Sequence, residues 1–511
     1  MEAYGTLPAP GVRLELVLTE PARMLRTGVP VFLGLVNEAD IKAWNEEHDD
    51  ADNPDDVDER FLCKRLAGDL GPAIVRKRGY LSLPSRAVGR AAEKQISDPA
   101  SRDVTTYLQA VPGRARTERY RAKIRSSLGA AGPARATQAP DGDLLKAIGT
   151  KPQRFTIWLQ FEQTYRGLAS AGFLSYAVRG FFENGGNLCY VQLISYPPPG
   201  GPQDVSLALT TALEAGLGTL ATYDDYDLVC VPDLMWESSI RENPKEAARL
   251  QDLVLAHCAR LGERMAILDS VPGGKKSTAD VIEHRDLLSG EEGALYYPWV
   301  RVPGGPEATG GYVPPCGHVA GVYARTDARV GVHQAPANEV LEGVVDLSAH
   351  LSSDDQGPLN DLSINCLRAF PQRGIRVWGA RTLSRGRIWH YVNVRRVVLT
   401  AARWIASNLS EVAFEPHTEL LWARITRDLT AYLTDLARHG ALAGPQGEDV
   451  FYVKCNAETN PPETRELGIV VTEIGLKPAA PVEFIVIRII HGPAGVEIID
   501  PQPRTTQNAN L

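Results

Sequence analysis

Five segments between residues 296 and 396 carry most of the information about the fold: YYPWV (296–300), PPCGHVAGVYARTD (314–327), QAPAN (334–338), RGIRVWGARTL (373–383) and WHYVNVRR (389–396). They are rich in Gly, Pro, Trp and Arg. Glycines such as Gly317 and Gly321 let a backbone turn or approach its neighbour closely. The segments contain neither a nucleophile–base pair nor metal-ligand spacing, so they indicate close packing rather than catalysis.

Arginines are frequent in and around these segments. Their planar guanidinium groups suit carboxylates or backbone carbonyls. Two interpretations stay open for each one: a buried arginine that holds the domain together, or an arginine that crosses a subunit interface. The residues concerned are Arg325, Arg376, Arg381, Arg395 and Arg396.

Upstream of this region, helix and strand patterns alternate. The predicted elements are the helix LSYAVRGFFEN (174–184), the strand LCYVQLI (188–194), the strand LVCV (228–231), a helix over 244–261 and the strand MAIL (265–268). Strand–helix–strand at this spacing predicts a βαβ unit, so part of the sheet is expected to be parallel. The fold class is therefore mixed α/β.

An α/β hydrolase-like enzyme is the rival interpretation of this region. Asp233 and Asp269 follow strand ends, where α/β enzymes place their chemistry. However, residues 273–278 (GGKKST) fail the phosphate-loop spacing, and no GxSxG motif is present. His257 lies in the middle of a predicted helix, which favours packing. We therefore predict no catalytic residue, no cofactor and no metal.

Downstream, two helices are predicted over Asn393–Leu409 and Thr418–His439. The apolar stripe of the second helix is Leu421, Ile425, Leu429, Tyr432 or Leu433, and Leu436. Its other face carries mixed charges, which are usually only solvated. The charged residues are Arg424, Arg427, Asp428, Asp435 and Arg438.

Strand patterns occur at both ends of the chain. GVRLELVL (11–18) has a face made of Val12, Leu14, Leu16 and Leu18, and VPVFLGLV (29–36) follows it. Strands are also predicted over 450–456, 467–474, 482–490 and 496–499, and the third of these contains Phe484, Val486, Arg488 and Ile490. A terminal strand pairs either with its own sheet or with the edge of another chain.

Residues 37–151 stand apart because their charge is divided into two halves. Residues 38–69 hold twelve Asp/Glu against four Lys/Arg, and residues 76–135 hold fourteen Lys/Arg against four Asp/Glu. Three interpretations are open: a solvated insertion whose halves neutralise each other, a docking surface for an anionic partner or a membrane, and a nucleic-acid site. No aromatic interleaving supports base stacking in the last case.

The composition is that of an ordinary water-soluble protein of several domains, with 511 residues, 44% hydrophobic and 23% charged. The net charge of −8 argues against a dedicated nucleic-acid binder. There is no signal-peptide pattern and no apolar run of roughly 20 residues, so we expect cytoplasmic folding. The seven cysteines are scattered without CxxC, which favours reduced, buried thiols.

The quoted segments, together with AVRGFFENGG (177–186), resemble the contractile tail sheath family of phage tails and phage-like injection systems. The resemblance runs with gaps from about Gly11 to Ile490, and residues 37–151 match nothing in that family. It divides the chain into an N-terminal arm with first strands that packs with the C-terminal domain (1–36), an inserted surface domain (37–151), a subtilisin-like sheath domain (152–370), a C-terminal sheath domain (371–481) and a C-terminal strand and tail (482–511).

The resemblance implies a structural subunit that forms hexameric rings, stacked helically around an inner tube, and contracts. It implies that the N-terminal and C-terminal strands add to the sheets of neighbouring subunits, and that the charged face of the helix 418–439 meets the tube. Expected partners are other copies of the chain, the tube, the baseplate and a terminal cap. A paralogous minor sheath or adaptor remains an alternative, and a phage or an injection system remains open as the source.

Overall fold

The computed structural model describes residues 25–39, 151–165, 172–198, 200–273, 278–386, 388–408, 416–442, 450–466, 469–477, 485–492 and 495–499. The helices are α1 (Trp158–Thr164), α2 (Leu174–Glu183), α3 (Pro202–Leu220), α4 (Ser238–Arg241), α5 (Pro244–Leu261), α6 (Ala279–Leu287), α7 (Cys316–Arg329), α8 (Ser353–Asp361), α9 (Val392–Asn408), α10 (Glu419–Arg438) and α11 (Pro462–Glu466). The longer strands are β1 (Pro30–Asn37), β2 (Gln153–Phe155), β3 (Cys189–Tyr196), β4 (Leu228–Cys230), β5 (Met265–Asp269), β6 (Gly293–Tyr297), β11 (Ile364–Phe370), β12 (Gly374–Val377), β13 (Phe451–Lys454), β14 (Val470–Leu476), β15 (Ile485–Gly492) and β16 (Gly495–Ile499). Short strands are β7 (Val300–Arg301), β8 (Tyr312–Val313), β9 (Glu339–Val340) and β10 (Asp346–Leu347).

The central unit is built on a nine-stranded sheet of order β2-β3-β1-β4-β5-β6-β11-β12-β9. The six strands from β3 to β11 in this order are parallel, and β2, β12 and β9 add antiparallel edges. The mixed α/β prediction and its parallel βαβ unit are confirmed. The subtilisin-like topology stays a prediction.

The position of β1 corrects one expectation. We expected residues 1–36 to pack with the C-terminal domain, but β1 lies inside the central sheet, parallel to β3 and β4. Seven of its eight residues are buried. Gly34 faces Leu174 of α2, and Leu33 faces Gly216 of α3, so helices cover both sides of the strand. A strand that is apolar on both faces needs two covering layers, and the middle of a parallel sheet provides them.

Close packing between α2 and α7 explains two glycines of the segment 314–327. A Cβ atom at Gly317 would lie 2.1 Å from the carbonyl oxygen of Ala177, and one at Gly321 would lie 2.5 Å from that of Phe181. The two helix backbones can approach this closely only without side chains at these positions. The close approach predicted from the sequence is confirmed there.

The C-terminal unit has its own core, to which α9, α10 and the strands β13 and β14 of the antiparallel sheet β13-β14-β15-β16 contribute. The rings of Trp404 on α9 and Tyr432 on α10 stack with centroids 4.2 Å apart. Both predicted helices are confirmed to within one residue at each end. Leu421, Ile425 and Leu429 are buried, as the helical period required.

Candidate assembly surfaces and the joint between domains

A buried ionic cluster joins the C-terminal unit to the central unit. Arg396 of α9 donates to Asp327 of α7 through both terminal nitrogens, at 2.8 and 2.6 Å, and to Asp227 before β4 at 3.0 Å. The side chains of Arg396 and Asp327 are 3% and 2% exposed. Burial lowers the pKa of a guanidinium, but Asp327 and Asp227 raise the pKa of Arg396 above its ordinary value. Arg396 therefore stays charged and holds both carboxylates.

The same cluster fixes the beginning of the described chain. Asp227 accepts hydrogen bonds from the backbone N–H groups of Gly28 and Val29, at 3.0 and 2.6 Å. Arg403 of α9 donates to the carbonyl oxygen of Arg26 at 3.2 Å. The segment that precedes β1 is therefore attached to the helix α9 of the C-terminal unit, although β1 itself is not.

The other arginines singled out in the sequence have partners within the chain. Arg395 forms a bidentate ion pair with Glu292, through hydrogen bonds of 2.9 and 2.6 Å, and its guanidinium stacks over the ring of Trp389. Arg325 donates to the carbonyl oxygen of Val340 at 2.7 Å. Arg395 and Arg396 are thus the buried kind of arginine. Arg381 donates to the carbonyl oxygen of Asn360 and Arg376 to that of Asn338, both at 2.5 Å.

The charged face of α10 is exposed as a continuous surface on the side opposite its core stripe. Arg427 and Asp428 form an ion pair at 2.9 Å, with side chains 63% and 31% exposed. Arg424 lies 3.8 Å from Asp428, Asp435 pairs with His439 at 3.5 Å, and Arg438 is exposed. The structure brings the five predicted residues to one accessible side of the helix. Their contact with a tube stays a prediction.

The predicted terminal strands are described only in part. Val12, Leu14, Leu16, Leu18 and Phe484 lie outside the described residues. Val486, Arg488 and Ile490 belong to β15, where their backbones pair with Gly475, Glu473 and Val471 of β14. The C-terminal strand therefore closes onto its own chain, with β13 and β16 at the two edges of the sheet.

The enzyme-like positions serve the packing of the sheet. Asp233 accepts hydrogen bonds from the backbone N–H groups of Phe173, Leu174 and Leu35, at 2.6, 2.9 and 3.0 Å. Burial raises its pKa to about 7, although these three donors favour the charged form. Asp269 likewise accepts from the N–H of Cys316 at 2.8 Å, and burial raises its pKa to about 7.

His257 is a packed side chain, as its place in the helix predicted. Its Nε2 atom lies 3.2 Å from the hydroxyl of Tyr226, and burial lowers its pKa to about 4. In the part of the chain that the structure describes, no group of three or more His, Cys, Asp or Glu residues could hold a metal ion. The six cysteines of that part are buried and free.

Family comparisons decide which class of protein combines this sheet with this C-terminal unit. Residues 209–383 match the family model of the phage tail sheath protein central domain, and residues 384–490 match that of the phage tail sheath C-terminal domain. The chain belongs to the contractile tail sheath family. The boundary between the two matches, after residue 383, lies between β12 and α9, close to where the described chain passes from one core to the other.

Curated relatives are tail sheath proteins of phages. The tail sheath protein of Salmonella phage ViI is 24% identical over 300 residues, which cover 54% of this chain and 46% of that protein. The tail sheath protein of Vibrio phage KVP40 is 25% identical over 183 residues, 35% of this chain and 26% of that protein. The sheath chain spans less than half the length of the curated relatives it matches.

Solved structures of phage-like injection systems are similar over most of their length. A chain of the anti-feeding prophage (AFP) baseplate is 28% identical with a TM-score of 0.54, covering 66% of this chain and 87% of that one. A chain of the contracted sheath complex of the extracellular contractile injection system PVC is 27% identical with a TM-score of 0.52, covering 66% and 85%.

The sequence did not reveal the partners of Arg396. Asp327 ends the quoted segment 314–327 and Arg396 ends the segment 389–396, so both residues belong to the segments that carry the resemblance. Asp227 was not singled out, because it lies 169 residues away from Arg396 and only the folded sheet brings it near.

Within the described ranges no helix has the length and apolarity needed to cross a bilayer.

Proposed function

We propose that this sheath subunit polymerises as stacked hexameric rings around an inner tube and contracts to drive that tube into a target. The supporting observation is the match of residues 209–490 to the two sheath domains, together with the likeness to chains of contracted PVC and AFP sheaths. Contraction is a one-way passage from a metastable extended lattice to a better-packed one, and it needs no nucleotide.

Terminal strands link the subunits in this proposal. β15 pairs with β14 over seven residues within the chain, and the same backbone hydrogen bonds can be made by the strand of a neighbouring chain. β13 and β16 are the edges at which a further strand can be added. Strand addition gives many directional hydrogen bonds, so neighbours stay linked while subunits rotate. The exchanged residues are Val12, Leu14, Leu16 and Leu18 at one end, and Phe484, Val486, Arg488 and Ile490 at the other.

The exposed charged face of α10 is the surface proposed to meet the tube. It is accessible and partly neutralised by its own ion pairs, so it suits a contact that forms and slides during assembly. Rim charges of this kind steer association and set its salt dependence. Baseplate and terminal cap proteins are the other proposed partners, with assembly in the cytoplasm, and nucleic acid is not one.

The buried cluster of Arg396, Asp327 and Asp227 is the proposed mechanical joint. It connects the C-terminal unit, the central unit and residues 28–29 through hydrogen bonds shielded from water. A rotation of the central and C-terminal units is thereby transmitted to the N-terminal segment that precedes β1. The role is structural rather than enzymatic, with no cofactor. The insertion 37–151 is proposed as a surface domain for docking.

A second candidate is a minor sheath or adaptor subunit, favoured by the likeness to chains in two AFP baseplate structures. Negative-stain microscopy of the purified protein distinguishes the two. Striated tubes support the main proposal, discrete rings support the adaptor, and a protein that stays monomeric at high concentration contradicts both.

A further inference from the structure

The exposed end of the hairpin β11–β12 carries three arginines, which we call the arginine tip: Arg368, Arg373 and Arg376. Arg368 lies directly opposite Arg376 in the antiparallel pairing of the two strands. The guanidinium groups of Arg368 and Arg373 lie 5.3 and 5.6 Å from the centre of the Phe370 ring. Arg373 and Arg376 both donate to the side-chain oxygen of Asn338, at 3.2 and 3.3 Å. Three positive charges therefore share one small, accessible surface.

No carboxylate of the described chain neutralises the arginine tip. Glu339, on the neighbouring strand β9, already pairs with Arg325 and Arg329. Like charges directly opposite each other on antiparallel strands are destabilising. The arginine tip is therefore a positively charged surface on which an anionic group would relieve the repulsion between Arg368 and Arg376.

The acidic part of the chain follows β1 at the same end of the parallel strands as the arginine tip. The strands between the two segments are all parallel: β1, β4, β5, β6 and β11. Asn37 at the end of β1 and Phe370 at the end of β11 therefore lie at the same end of these strands. Four strand spacings of about 4.8 Å separate β1 from β11, which gives roughly 19 Å.

The chain that follows Asn37 is long enough to cover this distance. Residues 46–59 contain nine Asp/Glu and no Lys or Arg; we call them the acidic run. The run begins nine residues after Asn37. Nine extended residues span up to about 30 Å, which is more than the roughly 19 Å between the two strands.

We propose that the arginine tip is the docking site of the acidic run of the same chain. Carboxylates accept paired hydrogen bonds from guanidinium groups, and the run supplies several in succession. Docking places a carboxylate between Arg368 and Arg376, removing the repulsion across the hairpin, and holds the inserted segment against this edge of the sheet. A phosphate would fit the same groups, but the net charge of −8 and the position of the run favour carboxylates.

Zero-length cross-linking of the full-length protein with a carbodiimide tests this proposal. Arg373 is exposed, and Arg373→Lys keeps the charge while placing a primary amine at the tip. Mass spectrometry is expected to find an amide bond between position 373 and a carboxylate of residues 46–59. Its yield should fall between 0.01 and 1 M salt, because the screening length falls from about 30 to 3 Å.

Two controls make the outcome specific. Arg385→Lys places an amine on another exposed arginine, 72% accessible and 3.8 Å from Asp286, and should give no bond to the acidic run. Asp49→Asn together with Asp50→Asn should reduce the yield at position 373. The proposal is overturned if the run links only to lysines of residues 76–135. Links to position 373 found only between isotopically different chains would also overturn it.

Discussion

Replacing Arg396 by methionine tests whether the buried cluster is a structural joint. Three hydrogen bonds of 2.6–3.0 Å to Asp227 and Asp327 are lost, while the methionine chain still fills much of the space. Removing one partner of a buried ion pair costs about 3–5 kcal/mol, because the other charge remains without compensation. The loss of three charge-assisted hydrogen bonds, at about 1.5–3 kcal/mol each, sets a higher upper bound for the loss of stability. Protonation of the remaining carboxylates makes the loss smaller than this bound. We expect the free energy of unfolding of Arg396→Met to be about 3–5 kcal/mol lower than that of the unchanged protein near pH 7.5.

The loss should depend on pH in a defined direction. Burial raises the pKa of Asp327 even beside Arg396, and loss of the guanidinium raises it further. At pH values between the ordinary pKa of about 3.9 and the raised pKa of the folded variant, the folded variant holds a proton that the unfolded chain has released. Stability of the variant is therefore lost as pH rises through the folded pKa and recovered below it. The recovery is at most about 1.4 kcal/mol per pH unit for one proton.

Urea unfolding followed by tryptophan fluorescence provides the measurement, because Trp404 and Trp422 lie in the C-terminal core. Arg385→Met is the matched control: it removes an exposed arginine with a carboxylate 3.8 Å away and should cost less than about 1 kcal/mol. The reasoning is refuted if Arg396→Met behaves like this control at pH 7.5. A large loss that is identical at pH 5.5 and 7.5 would refute its electrostatic origin.

Three further predictions concern assembly. Removing residues 1–18, or everything after Pro481, should abolish tubes in negative-stain images while circular dichroism stays near that of the full chain; tubes of normal length would contradict strand exchange. Deleting residues 38–150 should leave tube formation intact and narrow the tube, and an assembly defect would place the insertion within the lattice. Arg424→Glu with Arg427→Glu should weaken co-assembly with an acidic tube by a few kcal/mol at low salt; unchanged co-assembly there would make the face of α10 an ordinary solvated surface.

Local patterns predicted individual elements well wherever one face of the element is apolar. The helix α10 shows this, since its stripe from Leu421 to Leu433 recurs at the helical period and is buried. The strand β5 and the helix α5 were likewise predicted close to their observed bounds. The charged face of α10 followed from the same period, because residues opposite a buried stripe must be exposed.

The sequence by itself determined the family, the mixed α/β class and the identity of most strands and helices, because motifs and periodicity are local properties. Tertiary structure alone decided that β1 lies between β3 and β4, since an apolar strand does not specify its neighbours. It alone brought Asp227 and Asp327 to Arg396, across 169 and 69 residues of chain. It also made Asp233 a buried acceptor for three N–H groups. Such pairings depend on the order of strands in the sheet, which no local pattern contains.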